Sequence, residues 1–465
     1  MNIKKYGGLA YFLLALPLLL LFRNIRLLLN NCFHATDLGI YQQAIFDIAY
    51  NLNLNPYITI RDVKILNDHF DPVIYVAALF VKVFGYTAEN LIIFEFLWLI
   101  LFFGLYLFIV KKEKAELPFY LIIALFSKGL LSAFLFPIHP TTWSAAIAFL
   151  LFYGMNKFKE RYILLLIVSL CFFREAIPFC TFMLGLGLIL NKRWMPGILT
   201  SLFSIGLLAF VFFGRPALMG PTISYGTDVL SLINWNLITA FNYKAFFKLF
   251  TPYLLTYGLL FRYLKWDVFR GSLGLCLAYL LPLFGMHFLT NNFHFQYGAL
   301  FAAPFLGVFL SERIDKVLTK KELVIIALSF ILTGMGSWTK VFKESFQTDL
   351  NKCIISKERN DEFKIAKSYL WALPSERTIL STGGAVPQVL KPNMQIYQAG
   401  IFSKKLDSYD YLLFEHNRSG DTFPFSNEEM EESKKNCQLE DHIYKNEWFV
   451  LIKDPSPKCF KGFLR

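Results

Sequence analysis

Apolar runs recur along this chain until Trp338 and then stop. They cover 11–22, 73–86, 90–110, 117–136, 142–155, 162–174, 176–190, 195–213, 245–264, 271–289, 296–311 and 321–338. A straight membrane span needs about 20 apolar residues, with roughly 17 as the lower limit. A soluble core has no room for this many such segments. Charged residues make only 17% of the chain, against about 25% in a soluble domain, and the 51 Phe residues have no soluble counterpart. Disorder, collagen and a disulfide-stapled mini-protein are excluded, which leaves a polytopic, mainly α-helical membrane protein. Several runs are short, so some helices are expected to be broken inside the protein. The first run follows Lys4 and Lys5 and is trailed by Arg23 and Arg26 rather than a small-x-small site. It therefore reads as an uncleaved span, not a signal peptide.

Charge divides the chain in two. Residues 339–465 hold 19 Lys/Arg and 18 Asp/Glu, whereas residues 1–338 hold 27 and 16. A transmembrane domain is expected over 1–338 and a soluble domain over 339–465. The net charge of +12 does not imply nucleic acid, because cytoplasmic loops of membrane proteins are rich in Lys and Arg. If 73–86 is a short membrane helix that does not cross, and the other runs give about 11 spans, the basic loops 111–114, 156–161, 191–193, 265–270 and 311–321 all fall inside. The outer segments are then a first loop over 23–72, 137–141, the Arg174-Glu175 turn, 214–244, 290–295 and the tail. Arg23, Arg26, Arg61, Lys64 and Arg215 are the outer cations that break the rule and so become functional candidates.

Polar chemistry gathers on that outer side. His34, Asp37, Asp47, Asp62, Asp68, His69 and Asp71 lie in the first outer loop, with His139, His287 and His294 near the same face. Segment 36–50 is amphipathic and reads as a helix along the membrane surface. Its Asp37 is either an N-cap or a carboxylate placed as a general base. His69 and Asp71 fit a metal site, a pair, or a cap on the helix that follows. Arg174-Glu175 interrupts an apolar stretch, where charge is costly and faces a cavity or a partner. There is no Walker A, GxGxxG, GxSxG, HExxH or CxxC pattern, so ATPase, dinucleotide-dependent, serine hydrolase and zincin readings have no support. The seven Cys show no metal-site spacing.

The tail reads as α/β, with helices over 358–372 and 428–435 and strands over 378–381, 395–398, 409–415 and 448–452. Outside the cell Cys437 and Cys459 would either pair or stay free thiols.

The order Asp37-Leu38-Gly39-Ile40-Tyr41-x-Gln43, His69-Phe70-x-Pro72, Arg174-Glu175 and Phe293-His294-Phe295-x-Tyr297 resembles a prokaryotic family of polytopic membrane proteins catalogued as a domain of unknown function. The tail resembles that family through 373–381 and 409–413. Ala176 stands where the family pattern has a second acid. The family in turn looks like the GT-C class of glycosyltransferases. That resemblance implies a GT-C-like membrane domain, a small extracytoplasmic α/β domain and a location in the prokaryotic cytoplasmic membrane. It also implies inverting transfer of a sugar from a polyprenyl-phosphate donor to a lipid, glycan or protein acceptor. Asp37 would be the base, with His69, Asp71 and Glu175 as further catalytic candidates. Tyr41, Gln43, Arg174, Arg215, His294 and Tyr297 would bind substrate, a divalent metal ion is a candidate cofactor, and loop 214–242 would close over the donor. The rival readings are a lipid or small-solute transporter or flippase, and a non-catalytic assembly protein lacking the second acid.

Overall fold

The computed structural model describes residues 3–33, 36–136, 138–220, 271–290, 297–350, 354–399, 406–415, 429, 432, 435–437, 442–445 and 448–461. His34, His294, most of loop 214–242, the run 245–264 and most of 428–435 lie outside the described residues.

The chain is mainly helical. Helix α1 (Ile3–Leu29) leads into α2 (Thr36–Asn51), the expected helix over 36–50. A short hairpin, β1 (Tyr57–Ile58) and β2 (Val63–Lys64), and a single turn, α3 (Ile65–Asp68), carry the chain to α4 (Ile74–Phe84). Helix α5 (Ala88–Lys112) has clear ends. The Thr87 side chain accepts from Asn90 N at its start, and Lys111 and Lys112 sit at the negative end of its dipole.

Then follow α6 (Leu117–Leu125), α7 (Lys128–Phe134), α8 (Pro140–Trp143), α9 (Ala145–Gly154), α10 (Glu160–Leu170), α11 (Ile177–Leu190) and α12 (Trp194–Ala209). A π-helical turn over Phe210–Gly214 joins α12 to α13 (Arg215–Met219). Helices α14 (Ser272–Thr290), α15 (Gly298–Ser311), α16 (Ile314–Val317) and α17 (Lys320–Phe346) complete this part. A Thr319–Glu322 capping box starts α17, which runs on past Trp338.

Among the described residues, three helices are long and apolar enough to cross a membrane: Ala88–Lys112, Trp194–Met219 and Lys320–Phe346. The pair α6 and α7 makes a fourth if its 51° bend lies within one span. That break frees backbone carbonyls, which apolar surroundings cannot solvate. Trp338 Nε1 donates to Leu125 O at 2.9 Å. Gly334 lets α17 approach so closely that a Cβ there would collide with Phe126 O. Small residues serve α11 and α12 in the same way, since a Cβ on Gly185 would strike Ser201.

After α17 the chain builds a five-stranded mixed sheet from β3 (Thr378–Ser381), β4 (Gln395–Gln398), β5 (Tyr411–Glu415), β6 (His442–Lys445) and β7 (Phe449–Lys453), in the order β4-β3-β5-β7-β6. Strand β3 pairs in parallel with β4 and β5, and β7 is antiparallel to β5 and β6. Helix α18 (Lys357–Ala372) packs on β7 through Phe363 and Phe449, with ring centroids 4.9 Å apart. The short α19 (Val386–Val389) and α20 (Pro457–Lys461) flank the sheet. Cys437 and Cys459 are joined in a disulfide, Cys32 is also disulfide-bonded, and Cys171, Cys180 and Cys276 are free thiols.

Helix α19 is the dock that holds the tail to the start of the chain. Gln42 Nε2 donates to Pro387 O at 2.8 Å, and Gln388 Nε2 donates to Asn31 Oδ1 at 2.8 Å and to Leu28 O. Arg359 reaches Asn30 O, and Thr59 Oγ1 reaches Ile396 O. These contacts change the character of α2. Its polar Gln42 and Gln43 are buried, one against the tail and the other against Thr59, just past β1.

Candidate functional site

The loop between α3 and α4 and the turn between α10 and α11 meet beneath the first turns of α2. Each brings charge for a local reason. Asp71 begins the turn into α4, where Ile74 N donates to its carbonyl, and His69 ends α3. Arg174 and Glu175 occupy the non-helical turn before α11.

Arg174 is the hub. Its Nη1 donates to the Tyr41 hydroxyl at 2.7 Å and to Asp71 Oδ2 at 2.8 Å, and its Nη2 contacts His69 Nε2 at 2.8 Å. The Tyr41 hydroxyl donates to the same Asp71 oxygen at 2.6 Å. Glu175 lies beside it, with Oε1 3.5 Å from Arg174 Nε and 2.9 Å from His69 Nδ1, and Oε2 accepting from Phe70 N at 3.1 Å. This set of partners assigns the His69 proton to Nδ1, leaving Nε2 to accept from arginine. Burial raises the Asp71 pKa against the pull of Arg174 and the Tyr41 hydroxyl. Burial acts on Glu175 in the same sense, but the Arg174 charge and the His69 hydrogen bond outweigh it and hold Glu175 well below the usual carboxylate range. Arg174 and Asp71 are both nearly inaccessible, and Asp71 Oδ1 accepts no hydrogen bond among the described residues.

The other expected residues sort around this hub. Asp37 lies one helical turn before Tyr41 on the same face of α2, half-buried, and its charge is felt at Tyr41. Tyr297 packs edge-on to His139 at 6.2 Å, and His139 packs edge-on to Tyr41 at 5.9 Å. Arg215 follows the π-helical turn, a feature that often marks functional positions. It is buried, donates Nη1 to Leu66 O at 2.9 Å and keeps Nε without a partner among the described residues. Gln43 is not part of the cluster. It points away from Tyr41, donates to Thr59 Oγ1 at 2.8 Å and lines a separate cleft.

Three of the outer cations have structural partners. Arg23 bonds to Glu344 and to Leu135 O, Arg26 donates to Glu344 O at 2.7 Å, and Arg61 Nε lies 3.2 Å from Asp68 Oδ2. Among the described residues, no three His, Cys, Asp or Glu side chains converge as metal ligands. The Arg174 guanidinium stands between the carboxylates instead. Sequence reasoning missed Asn67, whose Nδ2 donates to Met219 O at 3.1 Å and Gly220 O at 3.2 Å, tying the end of α13 to the cluster. Its place beside Asp68 and His69 was the available signal.

The fold has a solved counterpart. ArnT from Cupriavidus metallidurans, crystallised with undecaprenyl phosphate, matches with a TM-score of 0.52 over 96% of this chain and 98% of that one, at 10% identity. The expected GT-C resemblance is thus met at the level of fold. No curated protein matches the chain in sequence. The model of one family, described as "Predicted membrane protein (DUF2079)", matches residues 28–450. The chain therefore belongs to this membrane-protein family.

Proposed function

We propose that the chain is a membrane glycosyltransferase that moves a sugar from a polyprenyl-phosphate donor to an acceptor at the extracytoplasmic face. The observation that carries this reading is the convergence of Asp37, Tyr41, His69, Asp71, Glu175, Arg215 and Tyr297 around the buried Arg174. These residues come from segments spread over most of the chain. The fold shared with a protein crystallised with undecaprenyl phosphate supports the donor class. The disulfides at Cys32 and Cys437–Cys459 support an oxidising location for the tail and the first outer loop. We assign residues 1–338 to the membrane domain and 339–465 to the extracytoplasmic tail.

In the proposed reaction Asp37 takes the proton from an acceptor hydroxyl, whose oxygen attacks the anomeric carbon with inversion. The bond from that carbon to the phosphate oxygen breaks, and the polyprenyl phosphate leaves with the electron pair. Arg215 is the better phosphate ligand, because both Nη groups of Arg174 are already bonded, to Tyr41, to the Asp71 carboxylate and to His69, whereas Arg215 Nη1 donates to the neutral Leu66 carbonyl. Arg174 then holds Tyr41 and Asp71 in place beneath Asp37. Purified protein supplied with a panel of polyprenyl-phosphate sugars should release polyprenyl phosphate only when an acceptor is present. The transporter reading is favoured by one observation, the broken pair α6 and α7. Lipid movement in proteoliposomes without sugar transfer would replace the enzyme reading with it.

A further inference from the structure

A second site lies on the other side of α2. Between α2, the β1 hairpin and the chain leading into β4 there is a cleft of about 300 Å³, at the lower end of the range for small-ligand sites, about 300–1,000 Å³. It exists only because the tail docks. One wall is Gln43, Phe46 and Tyr57 from the first outer loop, and the other is Asn393, Gln395 and Tyr397 from the tail. The hydrogen bond from Thr59 to Ile396 O and that from Gln42 to Pro387 O hold the walls together.

The lining has a definite chemistry. The charged groups at the cleft are already engaged. Lys391 Nζ donates to Trp371 O at 2.8 Å and Leu373 O at 2.9 Å, and the Asp47 carboxylate accepts from Asn51 and Asn53. Among the described lining residues a phosphate or nucleotide would find no uncommitted cation, and a lipid tail would meet too many amides. What remains is the exposed ring of Tyr57, with the nearly buried Tyr397 also in the lining, beside the exposed amide of Gln395 and that of Asn393, whose Oδ1 already accepts from Asn51. Aromatic rings offer a flat apolar face with a polar tip, and amides both donate and accept. An uncharged sugar presents the complement, with axial C–H groups on one face and a rim of hydroxyls that also donate and accept.

We propose that this cleft binds an uncharged saccharide, the glycan end of the acceptor. Resting on the glycosyltransferase reading, this selects a glycan from among the acceptor classes. It gives the tail a task, and it places Gln43 among acceptor-binding rather than donor-binding groups. Tyr41 and Gln43, two residues apart, then face the two substrates from opposite sides of one helix.

The test uses full-length protein in detergent and saturation-transfer NMR with neutral disaccharides: chitobiose, cellobiose, mannobiose, lactose and maltose. At least one should bind the wild type. Tyr57→Ala and Gln395→Ala alter exposed side chains, and each should weaken that binding about tenfold or more. Arg215→Ala should leave it unchanged. If none of the sugars binds, or if binding survives both cleft substitutions, the proposal is overturned. Because binding is read without transfer, sugar binding that depends on Tyr57 in a protein that never transfers would sustain this site while removing the enzyme reading. Transfer whose acceptor KM ignores both substitutions would do the reverse.

Discussion

Asp71 and Arg174 are 103 residues apart in sequence and 2.8 Å apart in space, and both are almost fully buried. Removing one partner of a buried ion pair leaves an uncompensated charge, at a cost of about 3–5 kcal/mol. Arg174→Ala is therefore expected to lower the melting temperature in detergent markedly, and adding Asp71→Asn should recover part of the loss. A single variant as stable as wild type would show that the pair does not support the fold.

Asp37→Asn separates the two roles open to that residue. Asn caps helices as well as Asp does, so stability should barely change. Loss of a general base should slow transfer by about 10²–10⁴-fold. Near-wild-type transfer by a monodisperse mutant would make Asp37 a cap and move the base to Asp71 or Glu175.

Arg215→Ala should weaken undecaprenyl phosphate binding by roughly 10- to 100-fold, from the 1.5–3 kcal/mol of a hydrogen bond to a charged group. Thermal stabilisation by the added lipid reads this out. An unchanged dose response would return the phosphate to Arg174.

Glu175 gives a pH signature. Its pKa in the folded chain lies below its ordinary value of 4.5. Its contribution to stability is thus fully present above that value and declines as pH falls towards the folded-state pKa. The melting-temperature gap between wild type and Glu175→Gln should be widest near neutrality and narrow below about pH 4.5. A gap that widens with acid would contradict the assignment.

Topology can be read with single cysteines and an impermeant thiol reagent on intact cells. Sites placed in 50–66 and 400–425 should react, and sites in 111–114 and 191–193 should be spared. Labelling at 111–114 would invert the orientation.

The legible parts of the fold were those written in local pattern. Helices α2, α4, α5, α11 and α12 start and stop close to the apolar runs or caps that announced them. The Arg174-Glu175 turn betrayed itself because charge in an apolar stretch needs a partner. Strand β6 was missed, since His442–Lys445 carries no clear alternation and owes its place to pairing with β7. The partners themselves were not legible. Nothing local in Asp-Leu-Gly-Ile-Tyr says that Tyr41 will meet an arginine 133 positions on, or that the neighbouring Gln42 will bond to Pro387. The outer cations misled for the same reason: Arg23 and Arg61 looked available until their distant or looped-back acids came into view.

The dock of α19 on the first loop also sets a schedule for synthesis. The bond from Gln388 to Leu28 O closes over 360 residues, and contacts of such long range form late. Until the ribosome has passed the β3–β4 region, α2 has no cover, and the cleft beside it lacks a wall. A chain cut short by premature termination would enter the membrane with its helices in place but with neither surface finished.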